Sequence, residues 1–503
     1  MAQRVGTTFA AVDVGTNAVR LKLVRARRDG SLEVLHEERD PIRPGEGVFE
    51  TGSIPPPVAA RLIETLRGYN GICRRHHAEV RAVATSAIRE ARNGPEIVKR
   101  ASREAGIDLE VISGREEARL ICLGVLGGTP ARTRSLVVDI GGGSTEVAVA
   151  DGEQPRNLYS LALGAVRLTE IFGSSGKVAP RKLGIMRGYA AEIVERSLPA
   201  RITGAPRTAI GSSGTIRAVV THAAAAGTAH ASAEQIARAA GELALMSPLS
   251  RRQLFDPARA EIVVAGAVVL EAVARRLKLA SIAATDRGLR DGLLLDLQRR
   301  HEPRANEVRL ADAAVAAGRG LGFDEPHAWQ VAGTSLALFD ALAQAHDLPA
   351  RARGWLQVAA LLHDVGHAIG YQRHHKHAAY LIQNADIPGL TEHERDLVAR
   401  VARYHRRSPP ELTHAGMAGL SDAEARLVRK LATILRVADS LDRSHHQPVT
   451  RLAARLRNGQ CVVRLEPSAP LDLELWDVEH ELGLFRRVFR RRLVVDVKTT
   501  AKT

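Results

Sequence analysis

The strongest constraint in this 503-residue chain is a pattern that occurs twice. TFAAVDVGTNAVRLKLVRAR (8–27) and SLVVDIGGGSTEVAVADG (135–152) each carry an apolar run ending in an aspartate, a glycine turn, and a second run. After the first turn Val19, Leu21 and Leu23 alternate with Arg20 and Lys22, a period of two. After the second, Glu146-Val147-Ala148-Val149 resumes as a strand. The pattern predicts two hairpins with Asp13 and Asp139 at equivalent ends, and hence two related lobes.

Between and around them lie stretches with helical apolar spacing, such as 56–70 and 114–128, so strands and helices alternate as in α/β architecture. GGTPARTR (127–134) reads as the connection between lobes, and RTAIGSSGTIRAVV (207–220) as a further strand-to-glycine turn. RRHEPRANEVR (299–309) reads as a charged linker. Residues from about 310 to 445 read as helices rich in histidine; CVVRLEP, LDLELWDVE and RLVVDV then return to strand-like alternation. The expected organisation is two α/β lobes (1–130 and 131–300), a helical domain (305–445) and a small α+β piece (446–503).

Composition narrows the function classes. Aromatics make up 3% of the chain, which weighs against binding nucleic acid by stacking. A net charge of +15 suits a polyanionic or phosphate-rich ligand, or reflects nothing more than an arginine-rich chain; FRRVFRRRL (485–493) is the one dense run. Three cysteines, Cys73, Cys122 and Cys461, are too few and too far apart for a metal motif or a disulfide framework. With no apolar run approaching a membrane span, a cytoplasmic protein is expected.

Glycine turns admit close approach of a ligand to the backbone, and consecutive N–H groups in a turn form an anion nest. The candidates are Gly15, Thr16 and Asn17; Gly141, Gly142, Gly143, Ser144 and Thr145; and Gly211, Ser212, Ser213, Gly214 and Thr215. No Gly-Lys-Ser/Thr run is present, and DIGGGST leads into a strand, so neither a Walker loop nor a Rossmann turn applies. Chemistry on a phosphate held in such a nest would also call for a base and cations. Asp13, Asp139, Glu146 and the Glu116-Glu117 pair are the candidate carboxylates; helical neighbours point about 100° apart, so one of that pair is expected to face a cleft.

These stretches, with VATSAIREARN, VISGREEARLICLGV, LGAVRLTE and TDRGLRDGLLLDL, resemble the exopolyphosphatase and guanosine pentaphosphate phosphohydrolase family of the actin/hexokinase/Hsp70 superfamily. The resemblance covers residues 8–297 and implies two actin-like (ribonuclease H-like) lobes. It implies hydrolysis of terminal phosphate from inorganic polyphosphate or of the 5′ phosphate of guanosine pentaphosphate. It makes Glu117 the base for the attacking water, with Asp139 and Glu146 catalytic or holding Mg²⁺ and Asp13 serving from the first lobe. Arg89 becomes a candidate phosphate clamp, Glu116 a solvated neighbour, and a homodimer the expected assembly. The family usually has Ser-Asn-Ser in the first turn; Thr16-Asn17-Ala18 here lacks one hydroxyl.

The helical region resembles the HD-type domain appended to longer members. His327, the His363-Asp364 doublet and Asp439 follow the order of HD phosphohydrolases, a donor set that suits Mn, Fe, Zn or Mg. His375, His377 and His405 are further candidates for a second metal or for phosphate. The alternatives are nucleotide hydrolysis at this HD-type site, a non-catalytic polyphosphate or alarmone sensor, and a sugar kinase of the same superfamily.

Overall fold

A computed structural model describes residues 7–498 except 28, 226, 227, 302, 386, 412 and 458. The chain forms two compact units, residues 1–298 and 299–503.

The first unit holds two sheets. One contains β1 (Thr8–Val14), β2 (Val19–Ala26), β3 (Leu32–Asp40), β4 (Glu79–Ala84) and β5 (Leu109–Val111), in the order β3-β2-β1-β4-β5. The other contains β6 (Arg134–Ile140), β7 (Thr145–Asp151), β8 (Gln154–Leu161), β9 (Thr208–Ser212), β10 (His230–Ser232) and β11 (Ser281–Ala284), in the order β10-β11-β9-β6-β7-β8. With β10 set aside, each lobe runs third-second-first-fourth-fifth. The first three strands are antiparallel and the rest parallel. The repeated motif is thus the visible part of a repeated α/β lobe. β1 and β6 lie centrally with Val12, Val14, Val138 and Ile140 fully buried, which explains their unbroken apolar runs.

Two helices tie the lobes to the site. Gly114–Leu126 carries the glutamate pair, and Leu289–Arg300 packs Leu293, Leu294 and Leu297 with Phe9, Ala11 and Leu120 of the first lobe. They approach at Gly124 and Gly292, where a Cβ would fall 2.0 Å from the Gly288 carbonyl oxygen and 1.9 Å from that of Leu120. No side chain fits either position, so the crossing fixes how the glutamate-bearing helix sits.

In the second unit, helices including Glu325–Ala341, Ala352–Leu362, His374–Asn384, Glu392–Arg403 and Asp422–Ser440 precede β12 (Val449–Arg457), β13 (Gln460–Pro467), the helix Asp472–Phe489 and β14 (Arg492–Val497). The three strands form one sheet in sequence order. Three expectations change here. Most of the expected linker is the helix Pro303–Arg319, which buries Leu310, Ala311 and Ala314 at helical spacing. LDLELWDVE is helical rather than a strand: Val478, Phe485 and Phe489 recur on one buried face. The helices and the sheet share one core, in which Cys461, Val463 and Leu465 pack with Leu431, Val437 and Phe485, so the sheet is continuous with the helical part. Among the described residues, no helix is long and apolar enough to cross a membrane.

Candidate functional site

The two glycine hairpins close identically. Gly15 N–H donates to the Ala18 carbonyl at 3.1 Å and Gly141 N–H to the Ser144 carbonyl at 2.9 Å. Between them opens a cleft of about 630 Å³ lined by Asp13, Gly15, Thr16, Asn17, Glu117, Asp139, Gly141, Gly142, Ser144, Ser212, Ser213, Gly214 and Thr215. Residues from both hairpins, from the helix of Glu117 and from the β9 loop therefore meet in one place.

Other candidates stand elsewhere. Thr145 is fully buried and its hydroxyl donates to the Leu163 carbonyl, so it is not a free donor in the cleft. Gly211 lies within β9, where a Cβ would strike Ile216 and Ile282; its smallness serves packing. A Cβ at Gly142 would fall 2.7 Å from the Thr16 Cβ, and one at Gly143 2.3 Å from Ser86 Oγ. Neither glycine has a positive φ. The triple glycine is therefore needed where first-lobe loops press on the second hairpin, and Gly143 does not line the cleft. The β9 loop does not form a hairpin: Ser213, at φ 81°, opens the helix Ser213–Ala223 directly.

Ser113 caps the glutamate helix by accepting from the Glu116 N–H at 3.1 Å, which sets Glu116 and Glu117 in the first turn. Glu116 is not solvated. It is buried and accepts from Arg119 at 2.7 Å and Arg81 at 3.4 Å, and both arginines also reach Asp296. Glu117 faces the cleft. Burial, opposed by Arg89 and reinforced by Asp13 and Asp139, pushes its carboxyl up to about 8. Burial likewise raises Asp139 to about 6 against the pull of Ser212 and Arg20. Arg89 donates to the Ile112 carbonyl at 2.7 Å and to Glu117 at 3.4 Å, and it lines a smaller hollow beside Ser144 and Ser160 rather than the main cleft.

Glu146 sits behind the cleft, paired across the sheet with Asp139. One oxygen accepts from Ser160 at 2.9 Å; the other is sealed from solvent without a hydrogen-bond partner. An orphaned carboxylate oxygen beside Asp139 and Glu117 fits a cation, and Mg²⁺ commonly takes one or two carboxylates and completes its shell with water and phosphate. Asp13, Asp139 and Glu146 are the residues that would hold it. Among the described residues, three donor atoms within 4.8 Å of one another occur only in the second unit.

Sequence reasoning missed the cleft's cations: Arg20, Lys22, Arg39, Arg217, Arg259, Arg287 and Arg290. The signal was present in β2, where the polar face of the alternation turns to the cleft. Arg259 donates to Thr215 at 2.6 Å, and a Cβ at Gly214 would fall 2.4 Å from its guanidinium.

The second unit gathers the expected His327, His363, Asp364 and Asp439. His327 Nε2 lies 3.2 Å from His363 Nε2 and 3.4 Å from Asp439, and His363 Nε2 lies 3.3 Å from Asp439. His405 joins them at 3.4 Å from Asp364. His374, not foreseen, lies 3.3 Å from both Asp364 and His405. His375 and His377 are excluded from this convergence because neighbours on a helix face different ways; His375 lines an adjoining cavity instead. His367 and His445 also border the cluster. Each of the four inner histidines anchors Nδ1–H on an acceptor: His327 on Asp442, His363 on Ala360, His374 on Tyr371 and His405 on Ala402. Their Nε2 atoms are left to face the interior, the orientation that metal-binding histidines take. One Asp364 oxygen faces His327 and His363, the other His374 and His405.

Comparison with known proteins agrees with this architecture. The Ppx/GppA phosphatase family model matches residues 23–301, and that family's domain III matches 313–481. The guanosine-5'-triphosphate,3'-diphosphate pyrophosphatase of Aeromonas salmonicida is 28% identical over 435 residues, 86% of either chain. The crystal structure of an exopolyphosphatase-like protein superposes with a TM-score of 0.53 at 29% identity, covering 58% of this chain and 98% of that one. An exopolyphosphatase from Cytophaga hutchinsonii gives 0.52 at 25% identity, covering 58% and 98%. With two actin-like lobes matched along more than half its length, the chain belongs to the Ppx/GppA phosphatase family and is a hydrolase.

Proposed function

We propose that the protein cleaves a terminal phosphoanhydride in the inter-lobe cleft, with guanosine pentaphosphate (the 5′ phosphate) as the preferred substrate and inorganic polyphosphate as the alternative. The observation that carries this is Glu117: a buried carboxylate, held near neutrality, facing a cleft whose two ends are backbone turns and whose walls carry arginines. A base works best when its pKa lies near the working pH. The Aeromonas relative's name supports the nucleotide, and the Cytophaga title keeps polyphosphate in view.

In this reading the N–H groups of the two hairpin turns and the hydroxyls of Thr16, Ser144 and Ser213 hold the terminal phosphoryl group. Arg20 and Arg259 balance its equatorial oxygens. Glu117 accepts the proton of the attacking water, and Arg89 holds the Glu117 side chain at the cleft wall. Mg²⁺ held by Asp13, Asp139 and Glu146 would supply further charge neutralisation. The test is phosphate release from each substrate by wild type and Glu117→Gln; release that survives the substitution refutes the assignment.

A second reading has its own observation. The converged Nε2 atoms and carboxylates of His327, His363, Asp364 and Asp439 fit a divalent cation, in keeping with an HD-type domain. We infer that this unit binds metal. Loss of phosphate release in Asp364→Ala but not in Glu117→Gln would move the chemistry there.

A further inference from the structure

Beside the histidine–aspartate cluster lies a separate cavity of about 260 Å³ whose lining is strongly cationic. Lys376, Arg403, Arg406 and Arg407 surround it, no carboxylate lines it, and among the described residues none of the four is ion-paired with one. Four like charges around one small hollow repel each other, and an anion relieves that repulsion. Tyr404 lines the same hollow; it is 5% exposed and its hydroxyl has no hydrogen-bond partner. Gly416 keeps the space open: a Cβ there would fall 2.6 Å from the Tyr404 hydroxyl and 2.7 Å from Arg403 Nε. Arg407 stands at φ 65°, a strained conformation for a side-chain-bearing residue that places it on the rim.

The cavity adjoins the cluster directly. Arg406 follows His405 in sequence, and its guanidinium lies 3.4 Å from His374 Nε2. We propose that this cavity binds the phosphate group of a phosphorylated small molecule and presents it to the His374–His405–Asp364 side of the cluster. Guanidinium groups match phosphate oxygens two at a time, and the absence of carboxylates disfavours cationic ligands. The size suits a phosphate or pyrophosphate group; a nucleoside would remain outside, since the three lining rings are already engaged: Tyr404 and His414 stack on each other at 6.1 Å and 15°, and His375 packs edge-on against His374. The presenting role rests on the proposed cation site; the anion site itself does not, and neither rests on hydrolysis in the inter-lobe cleft.

The test uses the full chain with pyrophosphate as probe, by titration calorimetry in EDTA and by the ³¹P line broadening with Mn²⁺ that exceeds that of Mn²⁺ and pyrophosphate without protein. Arg20→Gln with Arg259→Gln disables phosphate binding in the inter-lobe cleft and serves as background. In that background pyrophosphate binding and Mn²⁺ broadening are expected to persist. Adding Arg403→Gln and Arg406→Gln is expected to weaken binding at least tenfold and abolish the broadening, with partial recovery in the Arg403→Lys, Arg406→Lys protein. Lys376→Gln, at an exposed position, is expected to weaken binding at least threefold without disturbing the fold. Affinity within twofold across these variants, or no binding in the background protein, overturns the proposal. Failure of the cleft assignment shows separately, as an unchanged number of pyrophosphate sites per chain when Arg20→Gln and Arg259→Gln are made alone.

Discussion

Arg20 and Glu146 occupy equivalent places in the two lobes: Arg20 is the cross-strand partner of Asp13, and Glu146 of Asp139. One repeated hairpin thus carries opposite charges at one position. Arg20 lies 3.8 Å from Asp13 and faces the cleft, so the first lobe offers a cation, whereas the second keeps two carboxylates together. In the proposed reading, Arg20 serves the phosphoryl oxygens from one side and the carboxylate pair would hold Mg²⁺ on the other.

Charge exchange at these positions should therefore separate two effects. Arg20→Gln is expected to raise KM about tenfold with a smaller loss in kcat, having removed a charge-assisted contact. Glu146→Gln is expected to lower kcat on the order of 100-fold and to raise the Mg²⁺ concentration needed for half-maximal rate. Steady-state kinetics across a Mg²⁺ series checks both.

The adjacent glutamates should behave oppositely. Glu116→Gln breaks a buried network with Arg81, Arg119 and Asp296, and is expected to cost about 3–5 kcal/mol of stability. Glu117→Gln should leave the fold intact and reduce phosphate release by about 10²–10⁴. Urea denaturation followed by circular dichroism, alongside activity, distinguishes them.

The raised Glu117 carboxyl also makes a pH prediction for the metal-free protein. Its folded value, about 8, lies above the ordinary 4.5. The folded state thus retains a proton that the unfolded chain releases. This stability is fully present below about pH 4.5, falls as pH rises, and is gone above about pH 8. Melting in EDTA should show a decline between pH 5 and 8 worth on the order of 1–3 kcal/mol; Glu117→Gln should reduce it and leave the part below about pH 6 that Asp139 contributes.

Gly143→Ala is expected to destabilise by about 1–3 kcal/mol, because the new methyl meets Ser86, which hydrogen-bonds Thr16 at 2.9 Å. A Gly176→Ala control, where φ is likewise not positive and a Cβ meets nothing within 4 Å, isolates the packing cost. Thermal melts of the two variants, with Gly143→Ala also impaired in phosphate release, are the check.

How far the site can be read from the sequence depends on how local its causes are. The hairpins were legible because a period-two pattern on each side of a glycine turn is a backbone property. The His363-Asp364 doublet was legible because the chemistry of its flanking donors is unusual on apolar helices. His374 was not separable from His375 and His377, since only the tertiary packing decides which helix face turns to Asp364. Thr145 and Gly211 carried the right residue types but serve interior contacts. Arg20 and Arg259 carry no sequence signal of their own, since only the folded lobes bring them to one cleft. The stretch at 472–489 misled because Leu471, Leu473 and Leu475 alternate locally, while its buried face recurs at three- and four-residue spacing further on.

The central claim is that Glu117 activates water against a terminal phosphoryl group in the inter-lobe cleft. Its most direct measurement is phosphate release from guanosine pentaphosphate with Mg²⁺, for wild type and Glu117→Gln, on protein whose melting is unchanged. The account predicts release by wild type and a loss of at least 100-fold in the variant. Release at the wild-type rate by Glu117→Gln contradicts it.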